Sequence, residues 1–117
     1  MRARFGINNR LEYYDNNSLS SIVKRSSENQ LQVNKKTESL KLYEFYACPF
    51  CIKTRRAIKR LNLNLETRNA KQGDYRKELE LNGGKVQVPC LRIDNAGELS
   101  WLYESNDIIK YLEKHFK

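Results

Sequence analysis

Cys48 and Cys51 are separated by Pro49 and Phe50 and stand where a short apolar run meets a basic segment of helical periodicity. Two thiols at that spacing can close a disulfide with each other, or one can attack a substrate disulfide while the other resolves the product. Pro49 suits the first turn of a helix, where its missing N–H is not needed. Cys48 then sits at the helix N-terminus, where unpaired N–H groups and the positive dipole end favour an anion. An ordinary cysteine is only slightly ionised at neutral pH, whereas such a position brings the pKa to roughly 3.5–7.5 and makes the thiolate abundant. Cys48 is therefore the expected nucleophile. Cys51, one turn further in and more buried, is the expected resolver. Lys53, Arg55 and Arg56 follow on the same helix and can add positive potential. The other use of such a pair is a structural zinc site, which wants four Cys or His ligands. Only Cys90 and His115 remain to complete one, and no second C-x-x-C exists, so no metal is expected.

The elements that must position this pair are legible from Leu40 onward. Residues 42–46 read as a strand rich in aromatics, and 49–61 as a helix with Thr54, Ala57, Ile58 and Leu61 on one face. Leu63, Leu65 and Thr67 alternate with polar residues as a half-buried strand does. Asp74 can cap a short helix carrying Tyr75 and Leu79, which Asn82-Gly83-Gly84 stops. Residues 88–93 and 99–103 read as strands joined by a turn at 94–97. A last helix opens at Ser105 and is expected to bury Ile108, Ile109, Leu112 and Phe116. The order is β-α-β-α-β-β-α, with parallel strands around the first helix and an antiparallel hairpin before the last.

Residues 1–39 are a different material, rich in Asn, Ser, Lys and Arg with apolar residues thinly spread. Leu19, Ile22 and Val23 hint at a helical face, but Ser26 and Ser27 interrupt it. The expectation is a polar, mobile or weakly helical arm before one domain at 40–117, and removal of the chain before about Thr37 is expected to leave that domain folded. Arg2, Arg4 and Arg10 suggest a transit peptide, against which Glu12, Asp15 and the asparagines argue. No charged start leads into an apolar signal region, and the longest apolar run, 45–52, is far short of the ~18–20 residues that span a membrane. The chain carries 22 Lys and Arg against 14 Asp and Glu, for a net charge of +8, but the excess is scattered rather than gathered in a stripe. Neither nucleic acid nor membrane is an expected partner. Nothing in the chain suggests a glycine-rich phosphate loop, a paired-carboxylate site or a Ser-His-Asp arrangement.

The β-α-β-α-β-β-α order, with C-x-x-C after the first strand and Val88-Pro89 before the third, resembles the α/β thioredoxin-like fold with its four-stranded mixed sheet. The more specific resemblance is to glutaredoxins. Val-Pro-Cys-Leu at 88–91 and Trp-Leu-Tyr-Glu-Ser at 101–105 are similar to the bacterial subgroup whose C-terminal part looks like the N-terminal domain of glutathione transferases. The likeness covers about residues 40–117. It implies a cytoplasmic, monomeric, glutathione-dependent thiol–disulfide oxidoreductase with Cys48 and Cys51 as its redox-active disulfide. Glutathione would be its co-substrate, and glutathionylated or disulfide-bonded proteins its partners.

The same resemblance implies a glutathione site at Pro49, Phe50, Val88, Pro89, Glu104 and Ser105. A cis bond at Val88-Pro89 would face the cysteines and turn the Val88 backbone toward the bound tripeptide, as in strand addition. Ser105 and the helix start would take the γ-glutamyl carboxylate, and Glu104 the α-amino group. By residue type alone, Ser105 is an ordinary N-cap and Asp107 suits the dipole. Phe45 stands where many glutaredoxins carry a lysine for the glycine carboxylate, which leaves Lys53 or Gln87 to hold it, or only a weak hold on that end. Cys90 is expected as a small core residue, with a second redox role as the alternative. Trp101 and Tyr103 are expected to pack in the core or the groove. Rival functions are a glutaredoxin-like protein reduced by thioredoxin reductase, which the absent lysine favours and Glu104-Ser105 opposes, and a non-catalytic glutathione-binding or partner-docking module, which the two intact thiols oppose.

Overall fold

A computed structural model describes residues 22–117. The readings of Arg2, Arg4, Arg10, Glu12, Asp15 and Leu19 lie outside the described residues. The elements are α1 (Ser27–Thr37), β1 (Leu40–Glu44), α2 (Pro49–Arg60), β2 (Glu66–Asn69), α3 (Asp74–Gly83), β3 (Cys90–Asn95), β4 (Glu98–Tyr103) and α4 (Ser105–Phe116). From β1 onward this is the expected order. The strands form one mixed sheet, β2-β1-β3-β4, in which β1 and β2 are parallel and the other two pairs antiparallel.

Side-chain alternation along β1 divides the core in two. Leu40 and Leu42 join Leu91, Ile93, Ile58, Leu61, Ile108, Leu112 and Phe116 in the larger cluster, which α2 and α4 cover. Tyr43 joins Ala70, Leu79 and Cys90 in the smaller one, packed by Phe45, Val88, Trp101 and Tyr103. Gly83 closes α3 where a Cβ would come within 2.7 Å of the Tyr103 hydroxyl and 3.0 Å of Trp101, so any larger residue would push these side chains aside. The β3–β4 turn falls at 96–97 with positive φ at Ala96 and Gly97, and the Asp94 carboxylate accepts from the Gly97 N–H at 2.8 Å. Among the described residues no helix is long and apolar enough to cross a membrane.

Several expectations shift. Asp74, expected to cap its helix, is the first residue of α3, and Gly73 takes the cap position without a side-chain bond. The strand expected from Leu63, Leu65 and Thr67 pairs with β1 only over Glu66–Asn69, because Leu63 and Leu65 serve the core as the chain enters the sheet. Ile109, expected in the core, is only half-buried. The largest difference is in the arm. Ser27–Thr37 is an eleven-residue helix, and Ser26, rather than interrupting the repeat, is its N-cap, accepting from the Asn29 N–H. Its fold-back is tied to the domain: the Val23 N–H donates to the Arg60 carbonyl at 2.8 Å, and Arg25 donates to the Phe116 carbonyl. Thr37 is fully buried, its hydroxyl in reach of Asn34 and Asn64 carbonyls, and Val23 and Val33 pack against the main core. So few apolar residues leave a weak periodicity, and the docking contacts are all long-range.

Candidate functional site

The sheet register gathers the expected site at one end. Tyr43 pairs with Cys90, and Cys90 with Tyr103, so the end of β1, the start of β3 and the end of β4 lie side by side. The loop to α2, the Val88–Pro89 segment and the Glu104–Ser105 junction all leave from that end. Lys53 on α2 donates to the Asn106 side chain at the start of α4, at 2.5 Å, and links the two helix N-termini.

Cys48 is the N-cap residue of α2 in an extended conformation, and Pro49 takes the first turn. Its carbonyl accepts the Ile52 N–H, while its own N–H is held by the Phe45 carbonyl. The Cys48 thiol is partly exposed and its pKa is lowered. Burial works against the anion, but the backbone N–H groups of Cys51 and Phe50, the Cys51 thiol and the nearby Arg55 charge outweigh it. Cys51 is fully buried on the inner face of α2. Desolvation pushes its pKa up to about 11, with the Cys48 and Glu44 charges adding to the rise, despite the Phe45 N–H that points at its sulfur from 3.5 Å. All three cysteines are free thiols. This asymmetry predicts that alkylation of Cys48 by iodoacetamide titrates below the ordinary thiol range, while Cys51 stays unmodified until pH nears 11. Peptide mapping after alkylation across a pH series checks it, and equal labelling of both thiols at neutral pH would refute it.

Arg55 does more than a solvated charge. It pairs with Glu44 at 2.5 Å, donates to the Tyr46 carbonyl at 2.7 Å and lies 5.1 Å from the centre of the Tyr46 ring, fastening the loop before Cys48 to α2. Tyr46 and Phe50 remain largely exposed on either side of Cys48.

The Val88–Pro89 peptide bond is cis, with Val88 half-buried and Pro89 buried. The preceding segment is strapped from behind: the Tyr103 hydroxyl lies 3.1 Å from the Gly83 carbonyl and 3.0 Å from that of Lys85, and the Lys85 ammonium sits over the Tyr103 ring. Cys90 is fully buried beside Tyr103. Desolvation raises its pKa to about 11, against the opposing Tyr103 hydrogen bond and Lys85 charge, which leaves it a protonated core thiol.

At the start of α4 the structure corrects one reading. Ser105 is not the N-cap but the first helical residue, and it is buried; Glu104 takes the cap position and makes no side-chain cap bond. The cause is the backbone of Glu104, whose φ of 76° lies in the left-handed region that a glutamate rarely adopts. Non-glycine residues held there concentrate at functional sites. Glu104 itself is exposed, and its carboxylate accepts from the Gln87 amide at 3.0 Å. Both groups expected near the glycine carboxylate thus have partners within the chain, Lys53 on Asn106 and Gln87 on Glu104. Neither the Gln87–Glu104 bond nor the Arg55 fastening has a local sequence signal, since each joins residues of different elements or loops, between 9 and 17 positions apart. Among the described residues no group of three or more His, Cys, Asp and Glu side chains could hold a metal ion.

No curated protein matches the chain. Among solved structures, the maleylacetoacetate isomerase of Anaeromyxobacter dehalogenans with bound GSH superposes with a TM-score of 0.52 at 21% identity, over 69% of this chain and 39% of that one. The chain therefore spans about two fifths of the isomerase. Oxidised mitochondrial thioredoxin 3 of Saccharomyces cerevisiae superposes with a TM-score of 0.51 at 15% identity, over 85% of this chain and 96% of that one. Oxidised thioredoxin O2 of Arabidopsis thaliana gives 0.50 at 15%, over 85% and 97%. The fold is thioredoxin-like. The family profile described as the glutathione S-transferase N-terminal domain matches residues 42–117, from the middle of β1 through α4, and the chain belongs to that family.

Proposed function

We propose that the chain is a glutathione-dependent thiol–disulfide oxidoreductase of the glutaredoxin type. The observation that carries this is the unequal pair of thiols at the start of α2: Cys48 partly exposed with a lowered pKa, Cys51 buried with a raised one. The Cys48 thiolate attacks the glutathionyl sulfur of a protein–glutathione mixed disulfide. The old S–S bond breaks, the protein sulfur leaves as thiolate and takes a proton, and Cys48 keeps the glutathionyl group. A second glutathione thiolate then attacks that sulfur, forming oxidised glutathione and restoring the Cys48 thiolate. In the dithiol branch, Cys51 gives up its proton and attacks the Cys48 sulfur, releasing glutathione and leaving a Cys48–Cys51 disulfide that two further glutathiones reduce. A lowered Cys48 pKa serves both halves, because it supplies the attacking thiolate and makes a good leaving group.

Pro49, Phe50, Val88, Pro89, Glu104 and Ser105 would form the glutathione site. The Val88 backbone would pair with the tripeptide, and the α4 N-terminus and Ser105 hydroxyl would receive its γ-glutamyl carboxylate. Glu104, held in its strained conformation and steered by Gln87, would meet the α-amino group. Because Ser105 makes no cap bond, Ser105→Ala and Ser105→Gly test this without the usual confusion with helix capping. The alanine variant is expected to melt within a few degrees of the parent while its apparent KM for a glutathionylated substrate rises severalfold. Unchanged kinetics in both folded variants would remove the hydroxyl from the site.

One observation favours a second reading, in which thioredoxin reductase supplies the electrons. Phe45 occupies the place of the glycine-binding lysine, and Lys53 and Gln87 already have partners. Following NADPH consumption with glutathione plus glutathione reductase, and separately with thioredoxin reductase alone, decides between them. The proposal expects turnover only in the first.

A further inference from the structure

A groove of about 490 Å³ runs between α2 and α4 and opens beside the proposed nucleophile, since Pro49 lies at its upper end. Ile52 and Ile109, both half-buried, give it an apolar lining, which explains why Ile109 is not in the core. Its polar lining is one-sided in charge. Among the described residues Lys53, Arg60 and Lys110 line it with one carboxylate, Glu113, which Arg60 holds at 3.3 Å. Lys53 donates to the neutral Asn106, so its charge is not cancelled there. The whole of α2 carries Lys53, Arg55, Arg56, Lys59 and Arg60 and no acidic residue.

Charge decides among occupants. A second copy of this chain carries +8 and is repelled. An acidic, partly apolar segment complements the groove. We infer that the α2–α4 groove docks an acidic segment of the protein whose glutathionylated cysteine is presented to Cys48. This deepens the oxidoreductase reading and rests on it. The protein substrate would thus approach Cys48 from the α2 side, away from the Val88–Pro89 segment proposed for glutathione. Field lines focused by such a groove raise the on-rate of an oppositely charged partner, and salt removes the advantage.

Three peptides with one cysteine, flanked on both sides by Glu, Gln or Lys and each disulfide-linked to glutathione, test the inference. The mixed disulfide of free cysteine and glutathione is the control. In low salt, kcat/KM for the Glu peptide is expected to exceed that of the Gln peptide by about tenfold. The gap should close as ionic strength rises, and should shrink in Lys110→Glu and, less strongly, in Lys110→Gln. Lys110 is exposed, so both variants should fold, and their turnover of the small control should match the parent. Equal rates for the three peptides, a preference for the Lys peptide, or a Glu preference untouched by both Lys110 variants would overturn the groove assignment. Failure to turn over the small control would instead overturn the oxidoreductase reading.

Discussion

Cys48→Ser is expected to abolish turnover of a glutathionylated substrate, whereas Cys51→Ser should retain much of it. Only the first thiol stands at the helix start with backbone N–H groups and Arg55 favouring its anion, and only it is partly exposed. The second is sealed inside α2 with a pKa near 11, so it cannot compete for an incoming disulfide. Losing it removes the dithiol branch and leaves the monothiol branch, which needs only Cys48 and a second glutathione. Steady-state rates for the two folded variants give the answer. An active Cys48 variant beside a dead Cys51 variant would reverse the roles.

The second large effect concerns stability. Composition alone suggests that everything before about Thr37 can be removed, but residues 22–39 are tied to the domain by several hydrogen bonds, among them Val23 to Arg60, Arg25 to Phe116, Gln30 to Asn62, Thr37 to Asn64 and Asp94 to Ser39. With such bonds worth about 1 kcal/mol net each, a chain beginning at Leu40 is expected to be at least about 3 kcal/mol less stable than one beginning at Ile22. That is a large share of the stability of so small a domain. Removal of the first 21 residues alone is expected to leave the fold intact. Urea melts of the two truncations measure the difference, and equal midpoints would return residues 22–39 to the status of a detachable arm.

The two cases show what a sequence carries locally. Pro49 after Cys48 marks a helix start because proline tolerates only the first turn, and the Asp94–Gly97 turn shows itself because its geometry needs residues that accept positive φ. The cysteine pair and the Val88-Pro89 and Glu104-Ser105 dipeptides could therefore be assigned to the junctions that the sheet later brings together. Other features depend on partners in different elements or loops. Nothing near Arg55 announces Glu44 and the Tyr46 carbonyl, and nothing near Gln87 announces Glu104. The left-handed backbone of Glu104 is imposed by the turn from β4 into α4, not by its own type, so Ser105 reads as a cap that the folded chain does not use. For α1 the signal is absent because its stability comes from docking rather than from an apolar stripe.

The central claim is that Cys48 is the sulfur that exchanges with glutathione. Its most direct test is the intact mass of reduced Cys51→Ser protein after titration with oxidised glutathione. The account predicts a single glutathionyl adduct, which proteolysis locates on Cys48 and which excess reduced glutathione removes. No adduct at all, or one carried by Cys90, would contradict it.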